Sequence, residues 1–117
     1  MSRSLELARR LLGQVVTVTI DRPMGSRHPK HGFVYPVNYG YVAAVIAPDG
    51  DELDAYLLGV NQPVESAEGI VIAVVHRRDD DDDKLVVVPE GVTLDDAEIK
   101  AAVDFQERFF ASDVVRR

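Results

Sequence analysis

The sequence predicts a mainly β domain of the α+β class, a small five-stranded antiparallel barrel with a short N-terminal helix and a C-terminal helix. Five short segments rich in β-branched residues follow one another closely, and no helical pattern separates them, which disfavours a βαβ sheet. The chain has 117 residues, of which 46% are hydrophobic, and this composition suits a single core. We therefore expect residues 1–117 to form one domain.

The first half of the chain predicts one helix and two strands. The segment Ser4–Leu12 places its apolar residues on one face, with its first residue as the candidate N-cap and Gly13 just past its end. Gln14–Asp21 is β-branched almost throughout and predicts a strand. The stretch Arg22–Pro36 contains three prolines and predicts an irregular connection. A second strand is expected at Tyr39–Ala47.

The second half predicts three more strands and a closing helix. The strands are expected at Ala55–Val60, Ile70–His76 and Leu85–Val88, with a tight turn at Pro48–Asp51 before them. The last helix is predicted from Leu94 to Phe110, with Thr93 as its N-cap and Asp96 in the capping-box position. This helix is expected to pack on the barrel or to plug it.

Composition excludes several classes of protein. There is no cysteine, so disulfide frameworks, thiolate catalysis and Cys-ligated metal sites are ruled out. The net charge of −7 disfavours nucleic-acid binding, which requires a basic surface. No apolar run approaches the roughly 20 residues that span a bilayer, and the N-terminus has no signal-peptide pattern. The expected location is the cytoplasm, without a membrane partner.

Two acidic clusters and one basic stretch carry the candidate chemistry. The clusters are DGDELD at positions 49–54 and the five aspartates Asp79–Asp83, which Lys84 follows. Carboxylates at such spacing can hold Mg²⁺ or Mn²⁺, although each cluster also fits a solvated turn. The basic stretch, residues 22–31, suits a phosphate anion or a solvated loop. Its two histidines and His76 form no closed zinc set.

Tyr35–Tyr41 reads YPVNYGY and is unusually rich in tyrosine for a strand. These rings suit either a packed core or a hydroxyl that faces a phosphate. Together with the acidic clusters and the basic stretch, they favour phosphoryl-transfer chemistry in which divalent cations and basic side chains hold a phosphate-rich substrate. The chain contains no GxxxxGK[ST] phosphate-binding loop, which disfavours a nucleotide-cradling ATPase.

The order YPVNYGY, DGDELD and an acidic loop that runs into KLVVVP resembles the family I soluble inorganic pyrophosphatases, in a short form, from about Val16 to Phe110. The resemblance implies an OB-like barrel and Mg²⁺-dependent hydrolysis of pyrophosphate to two phosphates by a metal-activated water, with Mn²⁺ as a possible substitute. It also implies a homo-oligomer.

The resemblance carries roles to particular residues. It implies that Asp51 accepts a proton from the attacking water and that Tyr39 and Lys84 contact phosphate in the catalytic site. Arg27 and Lys30 are the expected basic contacts to substrate, although His28 and His31 are alternatives that the pattern does not separate. The implied metal ligands are Asp21, Asp49, Asp51, Asp54, Asp79 and Asp82.

The chain departs from the family pattern at its C-terminal helix. Phe109 and Phe110 stand where the family has a Tyr-Lys pair that holds a substrate phosphate, and Glu52 replaces a proline. Two alternatives therefore stay open. One is a metal-dependent hydrolase of another phosphoanhydride, either a nucleotide or a short polyphosphate, and the other is an inactive barrel that binds metal or phosphate.

Overall fold

The computed structural model describes residues 3–46, 52–79 and 82–116. Within these ranges the chain forms two helices and six strands. In chain order they are α1 (Arg3–Arg10), β1 (Val15–Arg22), β2 (Asn38–Ile46), β3 (Glu52–Leu57), β4 (Ser66–Arg77), β5 (Lys84–Val88), α2 (Asp96–Glu107) and β6 (Ser112–Val115).

The first five strands close into a barrel. Their order is β1-β2-β3-β5-β4, and β1 also pairs with β4, so the sheet has no open edge between them. The prediction of a five-stranded barrel with two helices is confirmed. The all-antiparallel pairing is wrong for one pair, because β3 and β5 run parallel. Strand β4 lies between β3 and β5 in sequence, so the chain crosses back and enters β5 in the direction of β3.

Two apolar clusters flank the barrel wall. One cluster draws side chains from all five barrel strands, from Leu5 and Ala8 of α1 and from Leu12 in the turn that follows α1. The other joins the opposite faces of β3, β4 and β5 to Ile99 and Val103 of α2. The first helix therefore covers the barrel interior and α2 packs on the outside. All five residues of β5 are buried because this strand has apolar neighbours on both faces.

Several element boundaries differ from the prediction. The N-cap of α2 is Asp95, which exchanges hydrogen bonds with Glu98 in a capping box, so the assignment of the cap to Thr93 is wrong. The helix α1 begins at Arg3, so Ser4 lies inside it and is not its cap. Strand β6 was not predicted. It follows α2 and pairs antiparallel with the end of β4. The turn at 48–51 lies outside the described residues.

The pairing of β1 with β2 depends on Gly40. This residue stands opposite Ile20, and a Cβ atom placed on it would lie 1.8 Å from the carbonyl oxygen of Thr19. A side chain is therefore excluded at this point of the YPVNYGY segment. The close approach permits the register in which Gly40 faces Ile20 and Tyr39 faces Arg22.

Candidate active site

Three barrel strands bring a lysine, a tyrosine and two aspartates together. The ammonium Nζ of Lys84 lies 2.7 Å from Oδ2 of Asp54 and 2.8 Å from Oδ1 of Asp82. The hydroxyl of Tyr39 donates to the same Oδ2 of Asp54 at 3.0 Å. These side chains come from β2, β3, β5 and the residue two positions before β5. Four residues that the sequence placed in the site thus meet at one point.

The environment of these groups controls their protonation. The side chain of Lys84 is only 3% exposed, so its charge depends on the two carboxylates for compensation. Burial raises the pKa of Tyr39 well above its usual range, and the negative charge of Asp54 adds to the effect. The Tyr39 hydroxyl is therefore protonated at neutral pH and available as a hydrogen-bond donor.

A third predicted carboxylate lies within electrostatic range of this group. Burial raises the pKa of Asp21 on β1, Arg22 opposes the shift, and the charges of Asp54 and Glu52 add to it. Asp79 is exposed just after β4, and Asp49 and Asp51 lie outside the described residues. Within the described part of the chain, no three acidic or histidine side chains come close enough to hold a metal ion by themselves.

The last aspartate of the acidic run points away from Asp82. Asp83 is buried, its Oδ1 hydrogen-bonds with Nδ1 of His76 at 3.0 Å, and it accepts the backbone N–H of Arg77 at 3.0 Å. Its own N–H donates to Oγ of Ser4 in α1 at 3.2 Å. Asp83 therefore anchors the run to the barrel and to α1. His76 is a candidate zinc ligand from the sequence, and in the structure its ring hydrogen-bonds with this anchoring carboxylate.

A buried ion pair adjoins the site and was missed by the sequence reasoning. Arg77 donates to both carboxylate oxygens of Glu107, through Nε and one terminal nitrogen. Its other terminal nitrogen lies 3.3 Å from Oδ2 of Asp82. The hydroxyl of Tyr56 donates to Glu107 at 2.6 Å and accepts from Gln106 at 2.8 Å. The sequence held one signal for this pair, because Glu107 follows Val103 by four residues and so lies on the apolar face of α2.

These groups open into a cleft of about 700 Å³. Its polar side consists of Tyr39, Arg77, Lys84 and Gln106. Five rings also line the cleft, and we call them the ring wall: His28, His31, Phe33, Phe109 and Phe110.

The comparisons with known proteins agree with this geometry. A family model described as inorganic pyrophosphatase matches residues 14–112, which is most of the chain. This chain belongs to the inorganic pyrophosphatase family. As a member it is a hydrolase that splits pyrophosphate into two phosphates, and the family depends on metal ions. Among curated proteins, none matches the sequence significantly.

Solved structures with a similar fold are bacterial pyrophosphatases. An inorganic pyrophosphatase from Neisseria gonorrhoeae is 27% identical, with a TM-score of 0.60, over 77% of this chain and 70% of its own. The enzyme from Ehrlichia chaffeensis shows 17% identity and a TM-score of 0.67, over 87% of this chain and 85% of its own. That from Helicobacter pylori shows 18% identity and a TM-score of 0.62, over 95% and 85%. The shared fold confirms the OB-like barrel of the family I enzymes.

The four candidate substrate contacts in the basic stretch of this pyrophosphatase fall into two pairs. His28 and His31 line the cleft, whereas Arg27 and Lys30 are not among the described residues that line it. The guanidinium of Arg27 donates to the carbonyl of Gly32 at 2.6 Å, within the loop itself. Lys30 is exposed. The structure therefore brings the two alternatives, His28 and His31, to the cleft, and substrate contact by Arg27 and Lys30 stays a prediction.

Phe110, the second residue of the aromatic pair that follows α2, contacts a cation. The ring of Phe110 lies over the guanidinium of Arg77, with Cζ 3.7 Å from the ring centroid. Burial alone would lower the pKa of Arg77, but its hydrogen bonds with Glu107 and the charge of that carboxylate raise the pKa above its usual value. Arg77 is therefore a permanent positive charge in the cleft, directly against the ring of Phe110.

None of the helices that the structure describes is long and apolar enough to cross a membrane.

Proposed function

We propose that this chain hydrolyses pyrophosphate with Mg²⁺ as its metal and with Mn²⁺ as a substitute. The observation that supports this assignment most directly is the convergence of Lys84, Tyr39, Asp54 and Asp82 on one end of the cleft. A cation, a neutral hydroxyl and two carboxylates at hydrogen-bond distance form the set of groups that a magnesium phosphate substrate requires.

The donor atoms suit a hard divalent cation. Asp54 and Asp82 offer carboxylate oxygens, which Mg²⁺ prefers, and their side chains are 36% and 40% exposed. Among the described residues, Asp54 forms hydrogen bonds only through Oδ2, which leaves Oδ1 for a ligand. We propose that Asp49, Asp51, Asp79 and Asp21 complete the metal-binding set. When bound, the cations would lower the pKa of a coordinated water and offset the charge of the phosphoryl oxygens.

The protein side chains bind and orient the substrate. Lys84 has three donors, so it can exchange one carboxylate partner for a phosphate oxygen while it keeps the other. Tyr39 donates a proton in its hydrogen bond and is held neutral by burial, so it can turn its hydroxyl from Asp54 to a phosphate oxygen. Arg77 adds a second cation on the α2 side of the cleft. These contacts stabilise the negative charge of the transition state.

We assign the proton transfer to Asp51. A water that attacks phosphorus must lose a proton as the new P–O bond forms. A carboxylate close to that water can accept the proton. The bridging P–O bond then breaks and two phosphates leave. The support for Asp51 is its place in DGDELD, one residue before β3, and the hydrogen bonds of Asp54, in the same motif, with Lys84 and Tyr39.

The test is phosphate release from pyrophosphate with Mg²⁺, with Mn²⁺ and without metal, for the native protein and for Asp51→Asn. We expect release with either metal, none without, and loss in Asp51→Asn with unchanged circular dichroism. Asp104→Asn is the matched control, because Asp104 is an exposed aspartate of α2 that pairs with Arg108. Metal binding by calorimetry without release of phosphate would instead support the inactive barrel.

We also propose that the chain forms a homo-oligomer, as the family resemblance implies. Light scattering at several protein concentrations tests this directly, and a monomer at micromolar concentration would contradict it.

A further inference from the structure

The cleft is larger and more aromatic than pyrophosphate requires. Its volume of about 700 Å³ falls within the roughly 300–1,000 Å³ typical of sites for drug-sized ligands. Pyrophosphate consists of two charged phosphoryl groups and has no apolar surface. The polar end of the cleft accounts for such an anion, whereas the ring wall has no role in its binding.

Two rings of the ring wall, Phe109 and Phe110, are exposed to solvent. The side chains of Phe109 and Phe110 are 66% and 42% exposed, which is unusual for phenylalanine. Within the basic stretch, the ring of His28 lies 4.6 Å from that of His31 and 4.9 Å from that of Phe33. Phenylalanine and histidine faces of this kind stack on nucleobases.

His28 is held in one orientation. Its Nδ1 accepts the backbone N–H groups of Lys30 and His31, each at 3.1 Å, so the proton of the neutral ring resides on Nε2. Partial burial and the positive charges of His31 and Arg22 lower its pKa. A neutral, preoriented imidazole loses little freedom when a planar ligand stacks on it.

The ring wall is continuous with the phosphate-binding end. Phe110 covers the guanidinium of Arg77, and Arg77 in turn reaches Asp82 next to Lys84. A ligand that follows this surface must carry a planar aromatic group at one end and a chain of phosphates at the other. Nucleoside triphosphates have this combination, and inorganic polyphosphates lack the aromatic end.

We infer that this cleft also takes nucleoside triphosphates, with the base on the ring wall and the terminal phosphate beside Lys84 and Tyr39. This inference rests on the proposed function, because the same carboxylates serve the reaction. Water adds to the terminal phosphorus, the bond from that phosphorus to the bridging oxygen breaks, and a nucleoside diphosphate and phosphate leave. The proton of the water passes to Asp51 and then to solvent.

The experiment compares ATP and GTP with tripolyphosphate, which has the same anhydride bonds and no base. With Mg²⁺ we expect kcat/KM for the nucleotides to exceed that for tripolyphosphate by about tenfold or more. Phe109→Ala should lower the ratio of ATP to tripolyphosphate activity by about tenfold. Phe109 is exposed, so its truncation does not threaten the fold. Val15→Ala is the control, because Val15 is 62% exposed and lies outside the cleft.

A binding measurement separates this inference from the proposed function. Calorimetry of AMP and of ribose 5-phosphate on the metal-free protein compares ligands that differ only in the base. We expect AMP to bind at least tenfold more tightly and Phe109→Ala to remove the difference. If pyrophosphate is hydrolysed but AMP shows no advantage, the inference fails and the proposed function stands. If pyrophosphate is not hydrolysed, an AMP advantage lost in Phe109→Ala still supports the base site.

Two further outcomes would overturn the inference. One is tripolyphosphate turnover equal to that of ATP in the native protein. The other is a change in oligomeric size on light scattering in Phe109→Ala, because the exposed rings would then be an interface between copies of the chain.

Discussion

The guanidinium of Arg77 and the carboxylate of Glu107 form a buried two-point contact, with N–O distances of 3.1 and 2.8 Å. Their side chains are 6% and 5% exposed. The contact joins the end of β4 to the end of α2, and Tyr56 donates a further hydrogen bond to the same carboxylate. The pair therefore holds the outer helix against the strand that leads into the acidic run.

Loss of one partner of this pair should destabilise the fold. Glu107→Ala leaves the buried Arg77 charge with only the partly exposed Asp82 as a partner, and we expect the free energy of unfolding to fall by about 3–5 kcal/mol. Urea denaturation measures this change. The double variant Arg77→Met with Glu107→Leu should lose less, because neither charge remains. Asp104→Asn removes an exposed pair and should cost at most about 0.5 kcal/mol. A Glu107→Ala cost as small as that of Asp104→Asn would contradict the interpretation.

Substitution of Lys84 should separate metal binding from turnover. Lys84→Met removes a cation that lies between Asp54 and Asp82, and we expect kcat/KM for pyrophosphate to fall by about 10²–10³. Calorimetric binding of Mg²⁺ should persist, because the carboxylates remain and lose a competing partner. Lys100→Met is the control, since Lys100 is exposed on α2. Near-native turnover in Lys84→Met would remove Lys84 from the active site.

The buried Tyr56 and the partly buried Tyr39 predict a loss of stability at alkaline pH. Burial raises the pKa of Tyr39 and of Tyr56 well above the usual value, with the charges of Asp54 and Glu107 as further causes. Because the folded state favours the neutral form, this stabilisation is complete below about pH 10, the pKa of a free tyrosine, and is lost as pH rises through the folded values. Urea midpoints should therefore fall above about pH 10.

The variant Tyr39→Phe tests the source of that effect. It keeps the ring and removes the ionisable hydroxyl, so the midpoint should fall less steeply with pH than in the native protein. An identical pH dependence in the two proteins would show that other groups, such as lysines, cause the loss.

A methyl group at Gly40 should disrupt the barrel. In Gly40→Ala the new Cβ atom would lie 1.8 Å from the Thr19 carbonyl oxygen, so β1 and β2 must separate. We expect a loss of at least about 3 kcal/mol, at the upper end of the usual cost of overpacking. Ala43→Gly in the same strand is the control and should cost no more than about 1 kcal/mol. Thermal unfolding followed by circular dichroism compares them, and equal midpoints would exclude the clash.

The strands were predictable because their signals are local. The β-branched run of β1 and the apolar residues of β5 are recognisable from composition. The predicted bounds of all five barrel strands differ from the observed bounds by only a few residues. The parallel pairing of β3 with β5 was not predictable, because it depends on the path of the chain around the barrel. Strand β6 has only four residues, and its pairing with the end of β4 supplies the support that its short sequence lacks.

The sequence identifies candidate site residues only where they belong to one of the family motifs. Hydrogen bonds connect Tyr39, Asp54, Asp82 and Lys84 in the structure, and their roles in metal binding and catalysis stay predictions. The role of Arg77 was not visible, because two adjacent arginines before an acidic run look equally solvated. Only the tertiary contact with Glu107 distinguishes Arg77, which is buried, from Arg78, which forms an exposed pair with Asp113 on β6.

The inward anchor of Asp83 also determines which changes of chain length the acidic run tolerates. Side chains alternate along an extended segment, so an inward Asp83 leaves Asp82 and Lys84 together on the cleft side. An aspartate inserted before Asp82 lengthens the run and leaves this alternation intact. An insertion between Asp82 and Lys84 would place them on opposite faces and separate the carboxylate from the ammonium. The spacing of these three residues is therefore fixed from both faces of the segment, and a change of chain length between them would disconnect the acidic run from the barrel.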